Sequence, residues 1–421
     1  MIPAKGSERG NRITMTDNTT PAPARDFDFT LESVILLVLG IFMGLFGLLL
    51  FPISTGALPY APDSTYGLFL VIVALQVITL GKTPLGDVPR TWLVILIGIA
   101  AGIIGMFACF IPGFLSDIVR ILVGAILLIG GATLLTQLFL HKDKAALWLR
   151  VPGILRQLTA ACAIVYLMAF LLGLVTLLPA FTTDTITAIL LLVDGAALFW
   201  LAWCIEAVTR QYPKKPQAAP VGRGNFLFRS APVSFTQSLL IFLGVLLTLL
   251  AVLLVPISLG TLPFSPDGQL GLLLTIMAIQ ILAMGETPLG QFRRSMVLVT
   301  IGLLFVAMGV YSCIVPGILT DLLRVLLGLL NLIGSLVLLT VRVVPMLTAM
   351  RKEHPQPVVL PAPVRNLLVT QTALNIIGIL FGTSMLLPGL IPGMVTAVIL
   401  FFNGLLLFLL AYILGILPSP A

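Results

Sequence analysis

Charge is what this chain has least of. Asp, Glu, Lys and Arg make up only 9% of its 421 residues, against about 25% in a soluble domain. Another 59% are hydrophobic, and mean hydropathy is +1.16. So few charges cannot cover a water-facing surface, so most of the surface meets lipid. Histidine is almost missing, since His141 and His354 stand alone and far apart. The four cysteines (Cys109, Cys162, Cys204, Cys313) sit inside apolar runs without CxxC or other ligand spacing. That argues against a disulfide framework and against a zinc site. No P-loop, dinucleotide fingerprint or nucleophile–base constellation occurs. The expectation is a non-enzyme that needs no cofactor or metal and has no nucleic-acid partner. Its main partner is the lipid bilayer.

Long apolar runs are what the chain has in abundance. A spanning helix needs about 20 such residues, and reading on that basis gives twelve. Six fall near 33–51, 66–81, 91–111, 117–140, 157–178 and 184–208. Six more fall near 234–255, 270–285, 295–315, 321–344, 366–387 and 393–416. The expected fold is an all-α integral membrane protein of about 12 transmembrane helices. Its organisation is a polar tail (1–32), a six-helix unit (33–208), a polar linker (209–233) and a second six-helix unit (234–417). The tail is rich in Pro and Thr and reads as disordered. No apolar stretch follows its early basic residues closely, which speaks against a cleaved signal peptide, and Met15 is a second candidate start.

The two units are copies. Pro52–Gly86 recurs as Pro256–Gly290, and from Phe51 to Arg90 the sequence matches at 20 of 40 positions with a constant offset of 204. Many matches are Pro, Gly, Asp, Gln and Thr, which chance does not give in an apolar composition. Phe110–Arg120 matches Ile314–Arg324 at the same offset, and Pro179, Thr187, Asp194 and Gly195 match Pro388, Thr396, Asn403 and Gly404 at 209. An even number of spans per copy gives both the same orientation, a parallel repeat. Charge agrees. With both termini cytoplasmic, 21 of the 23 Lys and Arg fall on inner segments, as cytoplasmic loops require. The exceptions, Arg120 and Arg324, are repeat equivalents, each three residues after an Asp and able to pair with it on one helix face. The net charge of +7 is explained in this way without an acidic partner. The basic, aromatic segment 142–150 suits the inner membrane surface.

Each unit reads as three helical hairpins with a Pro (Pro52, Pro112, Pro179) at the outer turn and glycines before it. Segments such as 97–131, IGIAAGIIGMFACFIPGFLSDIVRILVGAILLIGG, resemble the HdeD-like family of small six-helix bacterial membrane proteins. The resemblance covers each half separately, so the whole would be a tandem duplication. It implies an envelope- or stress-related protein of the bacterial inner membrane, without established chemistry to carry over. The long 52–66 loop and the GKTPLG turn are not part of that pattern. A second reading is a secondary transporter of a small solute with its site between the halves. Twelve spans in two parallel units match the gross layout of major facilitator carriers, although GKTPLGDVPR (81–90) lacks their adjacent Asp-Arg pair.

A few residues stand out as binding or proton-site candidates. Asp194 lies about 15 Å into its span, where an ionisable group is costly. Its equivalent, Asn403, cannot titrate, which excludes a symmetric proton relay. Gln76 and Gln280 are equivalents in a helix read as 16 residues long. Short spans at corresponding positions of two halves point to binding sites, while interhelical packing is the plainer role. Asp63 and Asp267 are outer-loop candidates. The GKTPLG/GETPLG turn reads as a Thr N-cap followed by Pro. Cys109 and Cys313 could approach across the axis relating the halves, with small-residue packing the simpler role. Homo-oligomerisation is compatible with all of this.

Overall fold

A computed structural model describes residues 29–83, 86–87, 91–140, 153–211, 233–284, 286–287, 290–291, 295–350 and 361–416. The basic segment 142–150, most of the tail and most of the linker lie outside these residues. The first unit is α1 (Leu31–Ser54), α2 (Pro62–Leu80), α3 (Trp92–Phe110), α4 (Ser116–Leu140), α5 (Ile154–Leu177) and α6 (Asp184–Gln211). The second is α7 (Phe235–Ser258), α8 (Pro266–Met284), α9 (Met296–Ile314), α10 (Thr320–Met350), α11 (Ala362–Leu386) and α12 (Gly393–Ile416). All twelve are long and apolar enough to cross a bilayer. The protein is a multi-pass α-helical membrane protein.

Several helix starts are set locally. The side chains of Thr30, Thr91 and Ser295 accept from the third backbone N–H beyond them, and Ser234 forms a reciprocal capping box with Gln237. Each satisfies a backbone donor that the helix leaves free. Several boundaries differ from expectation, among them α8, which begins at Pro266, α10, which runs to Met350, and α11, which begins at Ala362. Helix α1 continues through Pro52 to Ser54, and α2 already begins at Pro62, because proline suits the first helical position. The connection is therefore 55–61, and α2 has 19 residues, about 28 Å, close to the hydrocarbon thickness. The GKTPLG turn is also not a helix start. Lys82–Thr83 pairs antiparallel with Gly86–Asp87, and Glu286–Thr287 with Gly290–Gln291. Gly81, in the left-handed region (φ 68°), ends α2, and Thr91 caps α3.

Packing is a shell around a core. The best apolar window of α2 is 83% buried and that of α8 72%, against 22% for α5 and α10. The two short helices are apolar all round, the signature of a fully buried helix. The densest pairings are α2 with α3, α4 with α5 and α1 with α6, and their counterparts α8 with α9, α10 with α11 and α7 with α12. Of the expected hairpins at the outer turns only α5–α6 and α11–α12 pack closely; α1–α2, α3–α4 and their counterparts scarcely touch, and the tightest contacts fall one helix out of phase, joining α2 to α3 and closing α6 back on α1.

The halves meet through α1–α3 and α7–α9. Ala61 N–H donates to the Ile314 carbonyl (3.0 Å) and Ser265 N–H to the Phe110 carbonyl (2.9 Å). These are the same bond made twice, since 61 and 265, and 110 and 314, are repeat equivalents. Within each half glycines bring the backbones together. A Cβ on Gly67 would stand 2.5 Å from the Gly105 carbonyl oxygen, and one on Gly271 2.5 Å from that of Gly309. The starts of α2 and α8 and the ends of α3 and α9 thus gather at one level.

Candidate functional site

A cavity of about 190 Å³ with convergent polar groups lies inside the first half, at the end that carries the 55–61 connection. Helices α1, α2, α4, α5 and α6 enclose it. Its wall on α1 runs from Leu50 down to Phe42, about 12 Å of helix. An aromatic ladder follows that wall. Tyr60 stacks on Phe46 (5.9 Å between centroids, 21°), Phe46 meets Phe42 (6.2 Å), and Phe42 meets Phe69 (5.9 Å). Leu172 and Leu191 contribute to the apolar lining.

Polar groups gather at the mouth. Arg120 enters from the first turns of α4 and Asp184 from the start of α6, with Thr182 and Thr187 nearby. The Arg120 guanidinium acts electrostatically on the Tyr66 hydroxyl, and the Tyr60 side chain hydrogen-bonds with Tyr66 and Thr65. Burial above all pushes the Tyr60 phenol well above its ordinary pKa, so it stays a neutral donor. The threonines are largely spoken for. Thr65 Oγ1 donates to the Ala61 carbonyl (2.8 Å), Thr176 Oγ1 to Leu172 (2.7 Å) and Thr187 Oγ1 to Thr183 (3.2 Å). Arg120 pairs with Asp117 at 3.4 Å, but the Asp117 side chain is 87% exposed, so the pair is weak and readily displaced.

The second half differs at the equivalent positions. At the repeat offsets Phe42, Phe46 and Phe69 become Leu246, Leu250 and Leu273, Tyr66 becomes Leu270, Thr176 becomes Met385 and Asp184 becomes Gly393. Leu270 packs into an apolar cluster with Leu274, Leu323 and Leu327, and Met385 lies against it. Arg324 remains, paired with Asp321 at 2.9 Å. Tyr60 and Leu172 correspond to Phe264 and Phe381, so the aromatic residues are distributed differently in the two copies.

The residues singled out from sequence lie elsewhere. Asp194 is 3% exposed, and its Oδ1 has no hydrogen-bond partner. It sits three residues past Leu191, on the α6 stripe that lines the cavity but one turn deeper, beside the Gly195 crossing with α1. There a Cβ on Gly195 would stand 2.8 Å from the Gly44 nitrogen. Asn403 is half-buried on α12. Gln76 and Gln280 are half-buried, four residues from the last residues of α2 and α8 rather than mid-span, and Gln76 does not line the cavity. Asp63 and Asp267 are not loop groups. Each is 7% exposed in the first turn of its helix. Asp63 Oδ2 accepts from Gly113 N–H (2.6 Å), in a turn where φ is 83°, and Asp267 accepts from Thr320 Oγ1. They fasten the start of α2 and α8 to the turns that open α4 and α10, a structural task.

Cys109 and Cys313 are fully buried, and their side chains interact with one another across the interface between the halves. Each thiol also lies against a carbonyl of the paired helix, Ser64 at 3.5 Å and Gly268 at 3.7 Å. Glu206 drew no notice in the sequence. It is 8% exposed and accepts from Thr30 N–H (3.1 Å), Ser33 Oγ (3.2 Å) and Arg210 Nε (3.1 Å), tying α6 to the start of α1. Among the described residues no group of three or more His, Cys, Asp or Glu is placed to hold a metal ion. Comparison with protein-family models, curated proteins and solved structures gives no match.

Proposed function

We propose that this is a non-catalytic protein of a bacterial inner membrane whose first half binds a small solute, with the second half acting as its packing partner. The observation that carries the reading is the asymmetry between the copies. The first half holds an aromatic, polar-mouthed cavity, while the second half carries leucines in place of Phe42, Phe46, Tyr66 and Phe69 and the larger Phe381 and Met385 in place of Leu172 and Thr176. Concave, mostly apolar pockets with a few convergent polar groups are the usual form of small-molecule sites. The lining offers no His, Cys, Ser or Lys, which supports binding rather than chemistry.

The resemblance to HdeD-like proteins supports an envelope role. The charge asymmetry of the loops supports cytoplasmic termini. The gathering of four equivalent helix ends at one level supports two units of the same orientation, with the cavity mouth on the outer side. A carrier with its site between the halves draws less support. Cys109, Phe110, Cys313 and Ile314 are fully buried at that interface, and backbone meets backbone there.

The test is a survey of solutes by thermal unfolding of the purified protein, repeated on Leu172→Phe/Thr176→Met. This double variant places the larger residues of the second half, Phe381 and Met385, on the cavity lining. Stabilisation by a solute in the parent and its loss in the filled variant is the expected result. Stabilisation that survives filling, for every solute that stabilises, removes the proposal.

A further inference from the structure

Resting on that reading, we infer that the cavity takes a monocyclic aromatic carboxylate, with the ring on the Phe42–Phe46–Phe69 wall and the carboxylate at Arg120 and Tyr66. Size comes first. An engineered apolar cavity of about 150 Å³ holds one benzene ring, and this one measures about 190 Å³. One ring and a short polar arm fit, whereas a two-ring or sterol-like body does not. Shape comes second. Four aromatic rings in sequence from mouth to floor favour a flat partner through offset or edge-on contacts, each worth about 0.5–1.5 kcal/mol beyond buried area. The second half carries leucines in place of Phe42, Phe46 and Phe69 and keeps a ring, Phe264, in place of Tyr60, so the fold itself does not require the three phenylalanine rings.

Charge comes third. Arg120 and its equivalent Arg324 are the only basic residues outside the inner segments of the sequence, and Arg120 stands at the mouth of the cavity. A guanidinium presents a planar fork that matches a carboxylate. Its present partner, Asp117, is held only by an exposed i,i+3 contact and yields at little cost. The Tyr66 hydroxyl, already under the influence of Arg120, supplies a second donor. Asp184, the one acid on the lining, is exposed on the first turn of α6. It disfavours an anion weakly, which gives the inference a signed test.

Titration calorimetry on the purified full-length protein with benzoate, benzylamine, benzyl alcohol and dodecanoate separates the chemistries. Benzoate is expected to bind and benzylamine not. Arg120→Gln should weaken benzoate by about tenfold or more, the loss of a charge-assisted pair. Asp184→Asn should tighten it, and the filled Leu172→Phe/Thr176→Met variant should abolish it. Equal binding of benzylamine or benzyl alcohol, binding of dodecanoate but not benzoate, or indifference of benzoate to Arg120→Gln overturns the inference. If another solute binds and filling abolishes it, solute binding stands while the aromatic carboxylate falls. If filling leaves every stabilising solute bound, both fall. Unfolding temperatures of the two single variants, both at the rim, establish that a lost signal is not a lost fold.

Discussion

At the scale of single residues, the glycines divide sharply by what surrounds them. A methyl on Gly67 meets the Gly105 carbonyl oxygen at 2.5 Å, and backbone cannot step aside cheaply, whereas one on Gly44 meets nothing within 4 Å. Gly67→Ala should therefore cost about 1–3 kcal/mol or more and lower the unfolding temperature clearly, while Gly44→Ala leaves it nearly unchanged. Equal effects would contradict the α2–α3 geometry. Asp194 makes a different case. Asn is what the second copy carries at that depth, and it conserves shape. Asp194→Asn should keep the unfolding temperature, so any change it brings in ligand binding or cellular phenotype reports on the carboxylate itself. An unchanged phenotype leaves Asp194 as packing. Its prominence in the sequence came from the rarity of buried charge; its place beneath the cavity wall needed the helix-face relation to Leu191.

At the scale of elements, the twelve spans were legible because apolar run length is a direct consequence of bilayer thickness. The start of α2 was not, since Pro62 reads equally as a loop residue and as the first residue of a helix. That shift lengthens the helix and moves Gln76 toward its end, which removes the short-span argument. Asp63 and Asp267 move inside with it. A labelling experiment must therefore use other positions. Cysteines at Ala57 and Thr261, repeat equivalents that are exposed in the first connection of each half, should react with an impermeant reagent from outside the cell. Cysteines at Arg156 and Arg365, equivalents exposed at the opposite ends, should not. Replacing Cys162, the half-buried native thiol, lowers the background. Reaction of Ala57 and Thr261 from opposite sides would refute the shared orientation. The candidate site was hidden for a related reason. A cavity is defined by what fails to fill it, and the comparison of Leu172 with Phe381 and Thr176 with Met385 across the repeat carries part of the signal. The run of Phe42, Phe46 and Phe69 opposite Leu246, Leu250 and Leu273 was the one clue in plain sight.

At the scale of the whole molecule, the core helices α2 and α8 stand where the halves join, while α4, α5, α10 and α11 face lipid with large exposed side chains such as Ile118, Phe139 and Leu336. The first half closes the start of α2 with no side-chain cap at Ala61, whereas Ser265 Oγ accepts from Gly268 N–H in the second, and in both the N–H of that residue bonds to the other half. A first unit (33–208) expressed alone presents Ala61 and Phe110 to a second copy of itself and should self-associate, as measured by its mass in detergent. A strictly monomeric, stable unit would mean that the crossed bonds contribute little.

Those two crossed bonds have a consequence for how such a molecule changes over time. Two identical chains joined in this way would share every substitution, so a side chain that fills one pocket would fill its twin. Joined in one chain, the copies vary separately. The hollow beside Phe42, Phe46 and Phe69 need not be matched by its counterpart, where Leu246, Leu250 and Leu273 stand.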